Sequence, residues 1–179
     1  MKTLIPIIIL LFLISCSDKK IVKEISQKEK YSFDNILSYN NEDTLFIKSR
    51  FADCGEWGGH EELIKIYRSE RKIKLVYIKH KVKNRRDTDN MGSLIQTKDT
   101  TENFALTNSK QISVMNYKNN LMKLKFIDPE FGNSGNFFSI EDSRGELKFS
   151  QYGNNTHLLN NYNILMTDLG FSKVIVESE

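Results

Sequence analysis

The feature that most constrains the fold is an alternation of apolar and polar residues that recurs three times between residues 44 and 82. The segments are Thr44 to Phe51 (TLFIKSRF), Glu62 to Arg68 (ELIKIYR) and Lys72 to Val82 (KIKLVYIKHKV). A period of two predicts strands that bury one face. Residues 69–71 are few enough to close a hairpin between the last two segments. This part of the chain therefore predicts an antiparallel meander.

Two later segments carry apolar residues at helical spacing. The first predicts a helix from about Lys110 to Lys125, with Ser109 as a possible cap and Asp128-Pro129 after its end. The second predicts a helix that Thr156 caps and that Gly170 ends in the left-handed conformation. The apolar positions are Val114, Tyr117, Leu121 and Leu124 in the first helix, and Leu159, Tyr162, Met166 and Leu169 in the second.

A second hairpin is predicted between the two helices. Phe137 to Glu141 and Glu146 to Tyr152 read as strands, and the turn-forming residues Asp142 to Gly145 join them. The resulting order is β-β-β-α-β-β-α. It predicts an α+β fold, with an antiparallel sheet of about five or more strands and two helices packed on one face.

The first twenty residues have a different character. A positive start at Met1-Lys2 precedes an apolar run from Leu4 to Ile14. As a helix this run would rise roughly 17 Å, well short of the roughly 30 Å hydrocarbon core of a bilayer, so it predicts a cleaved export signal rather than a membrane span. The run ends at Leu13-Ile14-Ser15-Cys16, and the chain then turns polar at Ser17-Asp18-Lys19-Lys20.

This combination of charge, apolar run, small residue and cysteine resembles the lipobox of bacterial lipoproteins. The resemblance implies cleavage before Cys16, a diacylglyceryl group on its sulfur and usually a further acyl group on the new amine. Two or more acyl chains anchor a protein stably, at about 0.8 kcal/mol per buried methylene. The alternative is a plain signal peptide cut near Ser15, which would leave a soluble secreted protein.

The resemblance divides the chain into three parts. Residues 1–15 are expected to be the cleaved lipoprotein signal, residues 16–30 the lipidated N-terminus with a charged tether, and residues 31–179 a single α+β domain. The protein would then be held in the cell envelope by its lipid and face the periplasm or the cell surface. If Cys16 carries lipid, Cys54 has no intramolecular disulfide partner, and an inert, buried thiol is the favoured interpretation.

The segment Cys54 to Glu62 (CGEWGGHEE) is the candidate site, because it combines three glycines with the only tryptophan of the chain. Glycine has an entropic cost that a connection without a special conformation avoids. The segment also resembles uncharacterised envelope lipoproteins of low-GC bacteria, a resemblance that implies no catalytic residue. In a structural interpretation, Trp57 and Cys54 pack over the end of the sheet. In a binding interpretation, Trp57 stacks on a sugar or on a partner's side chain, beside Glu56 and His60.

A third interpretation is chemical. Cys54, His60 and a carboxylate from Glu56 or Glu61 are suitable zinc ligands, although the spacing is not that of a common zinc site. His157 or His80 would have to supply a fourth ligand. A nucleophilic Cys54–His60 pair is a further alternative. Taken alone, His80 is expected to face water and His157 to lie in the first turn of the last helix.

Residues 71–86 form a basic segment that contains no acidic residue. One interpretation is that its lysines guard a sheet edge against aggregation. The other is attraction to anionic lipid head groups, acidic glycans or an acidic protein. Nucleic acid is not expected, because Tyr77 is the only aromatic residue of the segment. The candidate contact residues are Lys79, Lys81, Lys83, Arg85 and Arg86.

No Walker loop, G-x-S-x-G, H-E-x-x-H or C-x-x-C motif is present. The adjacent carboxylates of Glu61 and Glu62 would point to opposite faces of a strand, which does not suit shared acid/base work. We therefore expect a non-catalytic, lipid-anchored binding domain without a cofactor. Its expected partners are the membrane, through acylated Cys16, and an envelope protein or glycan. The alternative is a metal-site or thiol-dependent enzyme that uses the Cys54 to Glu62 loop.

Overall fold

The computed structural model describes residues 32–37, 42–54, 58–84, 87–90, 92–127 and 135–176. They belong to one unit, Ser32–Glu179. The predictions for the signal, for Cys16 and for the tether fall on residues outside the described part. Within it, the elements are a short 3-10 helix, Phe33–Asn35, the strands Thr44–Arg50 (β1), Glu61–Ser69 (β2), Lys72–Val82 (β3), Gln96–Ala105 (β4), Phe137–Asp142 (β5) and Lys148–Tyr152 (β6), and the helices Asn108–Ile127 (α1) and Thr156–Leu169 (α2).

The strands form one sheet in the order β4-β3-β2-β1-β5-β6, and every neighbouring pair is antiparallel. Strands β1 to β4 are therefore consecutive neighbours, and β4 is one edge of the sheet. Helix α1 then connects β4 to β5, which pairs with β1 on its other side. Both predicted hairpins are present, with Ser69 opposite Lys72 and Glu141 opposite Lys148. The predicted α+β fold with an antiparallel sheet and two helices is confirmed.

The core lies between the helices and one face of the sheet. Alternate residues of a strand point to the same face, so the apolar half of each pattern meets the helices. The fully buried side chains from the strands are Leu45, Ile47, Ile64, Ile66, Leu75, Phe138 and Ile140, and those from the helices include Val114, Tyr117, Leu121, Leu158, Tyr162, Leu165 and Met166. The opposite face carries residues such as Phe46, Lys65 and Val76 that are only partly buried, and we call it the open face.

Strand β4 is the element that the sequence analysis missed. Its sequence, QTKDTTENFA, has no apolar alternation, and most of its side chains are exposed. It is held by its backbone pairing with β3 at the sheet edge, which needs no apolar side chains. Because β4 covers β3, the basic segment does not lie on an edge strand, and the interpretation of its lysines as edge guards is wrong.

The element ends differ from the predictions by one or two residues. Helix α1 begins at Asn108, so Ser109 lies inside the first turn and is not the cap. The cap of α2 is Asn155 rather than Thr156, because the Asn155 side chain accepts a hydrogen bond from the backbone N–H of His157 at 2.7 Å. Gly170 ends α2 with φ of 93°, as predicted. Strand β6 begins at Lys148, two residues after the predicted start.

Candidate functional site

The loop between β1 and β2 is closed at its base by backbone hydrogen bonds. Phe51 N donates to His60 O at 3.0 Å, and Cys54 N donates to Gly58 O at 3.2 Å. Outside the loop, the side chain of Asn136 accepts from Ala52 N at 2.9 Å. Residues 55–57, and with them the predicted ligand-binding residues Glu56 and Trp57, lie outside the described part of the chain. Residues 51–54 and residues 58–60, on either side of this gap, are the two limbs of the loop. They are therefore hydrogen-bonded to each other and, through Ala52, to Asn136, the residue before β5.

Gly58 and Gly59 permit close packing in the second limb. A Cβ atom at Gly59 would overlap the carbonyl oxygen of Phe51 and the carboxylate of Asp53. A Cβ atom at Gly58 would overlap the side chain of Leu94, from the connection between β3 and β4. Gln96 Nε2 donates to the carbonyl oxygen of Gly59 at 2.8 Å. Because Gly58 and Gly59 have no side chain, the second limb can pack closely against the first limb and against the connection between β3 and β4.

His60 lies between two carboxylates. Its Nδ1 is 2.5 Å from Asp53 Oδ2, and its backbone N–H donates to Asp53 Oδ1 at 2.9 Å. Its Nε2 is 3.5 Å from Glu62 Oε1. The ring of Phe51 stacks on the imidazole with the centroids 4.7 Å apart. The His60 side chain is only 12% exposed, so these contacts lie at the border of the core.

Glu62 extends this arrangement into the core. It is 1% exposed, and its Oε2 accepts a hydrogen bond from the Tyr162 hydroxyl of α2 at 2.7 Å. Its Oε1 is 3.6 Å from Lys79 Nζ of β3. We call Asp53, His60, Glu62, Lys79 and Tyr162 the charged frame. The charged frame connects the loop to β2, β3 and α2.

The electrostatics of the charged frame favour an ionised histidine. Burial alone would lower the pKa of His60, but the hydrogen bonds and negative charges of Asp53 and Glu62 outweigh it and raise the pKa to about 9. Burial would likewise raise the pKa of both carboxylates. For Asp53 the hydrogen bonds from His60, and for Glu62 the hydrogen bond from Tyr162 together with the nearby charge of His60, outweigh burial and lower both pKa values. At neutral pH the charged frame therefore holds one cationic imidazole between two carboxylates.

This geometry bears on the predicted metal and thiol chemistry. Both ring nitrogens of His60 have a carboxylate neighbour. The described residues contain no group of three His, Cys, Asp or Glu side chains placed to hold a metal ion. Cys54 is partly buried and forms no disulfide with any residue that the structure describes. His157 is exposed in the first turn of α2, as expected. The arrangement favours an ionic, structural role for His60.

The two adjacent glutamates have opposite environments, as their positions on a strand predict. Glu62 faces the core, whereas Glu61 is exposed on the open face. His80, which is expected to face water, lies on the open face with its side chain partly buried, and its Nδ1 atom is buried without a hydrogen-bond partner among the described residues. The physical reason is that β3 is an interior strand, where neighbouring strands cover much of each side chain.

The basic segment is partly neutralised by acids that the sequence analysis did not associate with it. Lys79 lies beside Glu62, and Lys81 pairs with Asp99 of β4 at 3.1 Å. Lys83 is exposed, and the predicted contact residues Arg85 and Arg86 lie outside the described residues. Since two of the three described lysines have an acidic neighbour, this segment is a weaker anion-binding surface than its sequence indicates.

Comparison with known protein families finds no family model that matches the chain, and comparison with curated proteins finds no matching sequence. Among the described residues, no helix combines the length and the apolar character needed to cross a membrane. The fold and the site define the class: an α+β domain with a six-stranded antiparallel sheet, in which a partly buried charged frame connects the described ends of the loop between β1 and β2 to the core.

Proposed function

We propose that this protein is a lipid-anchored protein of the cell envelope and that its folded domain is a non-catalytic binding domain. Its contact surface is the loop of residues 54–59, with Trp57 as the central contact residue. The observation that carries the proposal is the charged frame, which ties both limbs of this loop to the folded domain.

A buried ion-pair cluster is a weak source of stability. The cost of removing the charges from water offsets most of their attraction. Well-packed apolar residues in the place of buried ion pairs often stabilise a core equally well or better. In some proteins such a cluster specifies a single conformation, and we propose this role for the charged frame. Asp53 and His60, one from each limb, are joined by two contacts, and Glu62 extends the cluster into the core. This is the construction expected for a loop that presents side chains to a partner.

Trp57 is the residue in this loop best suited to make a contact. A tryptophan ring offers a large apolar surface and one hydrogen-bond donor, and it is enriched among the residues that dominate binding free energies. The ring would stack on a sugar or pack against a side chain, with Glu56 beside it. The partner would be an envelope protein or a glycan.

The proposed anchor is the lipid on Cys16. Acylated Cys16 would hold the chain at the membrane, and residues 16–30 would connect it to the domain. Metabolic labelling with a clickable fatty acid should mark the wild type and leave Cys16→Ala unmarked. Labelling that survives this substitution would disprove the anchor.

Affinity capture of the acylated protein from its native envelope, followed by mass spectrometry, tests the contact surface. Trp57→Ala should lose the captured partner while its melting temperature stays unchanged. Phe126→Ala is the matched control, because this aromatic side chain of α1 is 80% exposed and belongs to another surface. It should retain the partner.

Three results would contradict the proposal. If Trp57→Ala retains the partner, or if it lowers the melting temperature by several degrees, Trp57 packs over the sheet end and is not a contact residue. If the purified protein contains stoichiometric zinc that Cys54→Ala or His60→Ala removes, the loop is a metal site instead.

A further inference from the structure

The open face of the sheet carries a concave site of about 410 Å³ beside the loop. This volume lies in the range of small-molecule sites, about 300–1,000 Å³. A row of side chains near one end of the sheet lines it, and Lys48 and Leu63 lie next to that row. The row consists of Tyr152 from β6, Phe137 from β5, Arg50 from β1, Glu61 from β2 and His80 from β3. The buried residues Ser49 and Glu62 complete the lining. We call the row together with Lys48 and Leu63 the open-face pocket.

The strand register explains how this row arises. Phe137 pairs with Tyr152 on one side and with Arg50 on the other, and Arg50 pairs with Glu61. Directly paired residues of antiparallel strands point to the same face. Since neighbouring strands lie about 4.8 Å apart, the row from β6 to β3 is about 19 Å long. The open-face pocket is therefore elongated and suits an extended ligand.

One end of the open-face pocket is aromatic. The rings of Phe137 and Tyr152 have their centroids 4.7 Å apart at an angle of 47°, and both side chains are partly exposed. The guanidinium carbon of Arg50 lies 5.9 Å from the centroid of the Tyr152 ring. This contact orients the planar guanidinium group and leaves its other N–H donors available to a ligand.

The centre of the open-face pocket offers hydrogen-bonding groups of both kinds and has no excess charge. Arg50 and Glu61 are cross-strand neighbours, but neither joins an ion pair with any described residue. Lys48 is neutralised by its ion pair with Glu141. Arg50 can only donate hydrogen bonds and Glu61 can only accept them, whereas a neutral imidazole such as that of His80 has one nitrogen that donates and one that accepts. The Nδ1 atom of His80 is buried, so the ligand would meet the other side of the ring.

We propose that the open-face pocket binds a neutral oligosaccharide. A sugar ring has an apolar C–H face that packs against an aromatic ring, and its hydroxyl groups both donate and accept hydrogen bonds. The row supplies aromatic faces at one end, a donor and an acceptor at its centre and His80 beyond them. The cancelling charges of Arg50 and Glu61 favour an uncharged ligand over an acidic one. This inference goes beyond the proposed function, because it holds whether or not residues 54–59 contact a partner.

The test is an NMR titration of the ¹⁵N-labelled protein with maltotriose, cellotriose and tri-N-acetylchitotriose, and with trigalacturonic acid as the acidic counterpart. At least one neutral trisaccharide should shift the amide signals of the row. Glu61→Gln should weaken its binding about tenfold, which is about 1.4 kcal/mol. Since Glu61 is exposed, this variant should keep its fold. Tyr152→Ala should weaken binding at least as much.

Matched controls come from the other end of the same face. Lys65→Gln and Tyr67→Ala change a charged and an aromatic side chain of β2 outside the open-face pocket, and both should leave the dissociation constant unchanged.

Three results would overturn the inference. The first is no signal shift with any neutral trisaccharide at millimolar concentration. The second is tighter binding of trigalacturonic acid than of every neutral sugar. The third is a dissociation constant that Glu61→Gln leaves unchanged and Trp57→Ala increases, which would place the sugar on the loop.

Discussion

Strand β2 is entered and left through two very different connections. The entry loop, between β1 and β2, contributes Asp53 and His60 to the charged frame and contains two glycines at which a Cβ atom would overlap a neighbour. The exit turn, between β2 and β3, has only Glu70 and Arg71 between the strands. Both residues have positive φ, 53° and 63°, although neither is glycine. Its one ion pair, between Glu70 and Lys74, is exposed.

The comparison separates two ways of fixing a connection. In the exit turn the pairing of β2 with β3 imposes the left-handed conformation, at a cost of about 1–2 kcal/mol for each non-glycine residue. In the entry loop the side chains of the loop specify the conformation. A connection that only closes a hairpin, such as the exit turn, does not require a network of charged side chains. Because the entry loop has such a network, we associate this loop with binding.

The largest expected effect comes from Gly59→Ala. The new Cβ would overlap backbone and carboxylate atoms that cannot move without breaking the charged frame. We expect a loss of about 3 kcal/mol in the free energy of unfolding, measured by urea denaturation. Gly92→Ala is the control, because Gly92 has φ of 81° but no atom near its Cβ position, and its loss should be about 1 kcal/mol. Equal losses would show that the entry loop is no tighter than an ordinary turn.

The pH dependence of stability should reveal the charge of His60. Because its pKa is raised from 6.5 to about 9 on folding, its contribution is complete below about pH 6.5 and is lost as the pH rises through 9. The lowered pKa values of Asp53 and Glu62 give a contribution that is lost as the pH falls below about 4.

The free energy of unfolding should therefore fall by on the order of 2 kcal/mol between pH 6.5 and 9. His60→Gln should remove most of this decrease, because glutamine does not titrate. A decrease of the same size in the variant would assign it to other groups.

Tyr162→Phe should destabilise the protein by about 1.5 kcal/mol, because the buried carboxylate of Glu62 loses its hydroxyl donor. Tyr117→Phe provides a matched control in α1. The Tyr117 hydroxyl is buried and has no hydrogen-bond partner among the described residues, so its removal should have little effect. Thermal unfolding of both variants measures the difference. Similar melting temperatures for Tyr162→Phe and Tyr117→Phe would mean that the hydrogen bond from Tyr162 to Glu62 does not stabilise the protein.

The smallest effect is expected at the exit turn. Replacing Glu70→Asn together with Arg71→Gly introduces the residues that a two-residue turn with positive φ prefers. The double variant should be more stable by about 0.5–1 kcal/mol in urea denaturation. A loss of stability would indicate that the exposed Glu70–Lys74 pair matters more than the backbone conformation.

The sequence predicted the elements whose side chains bury an apolar face. Strands β1 to β3 and both helices follow from apolar periodicity, since their cores are made of residues such as Ile47, Ile64 and Tyr117. Strand β4 gave no such signal because a polar edge strand is held by backbone hydrogen bonds. Asn155 was missed as a cap because Thr156 is also a favourable capping residue and only the observed helix start distinguishes them.

The charged frame could be predicted only in part. His60 stood out beside the glycines and the tryptophan, but its partners are ordinary acidic and aromatic residues. Tyr162, which donates to Glu62, lies 100 residues further along the chain. Only the packing of α2 on the sheet brings the two together. Asp53 was closer, seven residues from His60, and an acidic residue beside a glycine-rich loop with a histidine was a usable signal.

Direct titration of His60 by ¹⁵N or ¹³C NMR is the most direct test of whether an ionised histidine holds the entry loop. The pKa of His60 should be about 9 in the wild type and should fall in Glu62→Gln, which keeps the shape of the side chain and removes its charge. Glu61→Gln, one residue away on the open face, should leave that pKa unchanged. A His60 pKa at or below its ordinary value of 6.5 in the wild type would contradict the account.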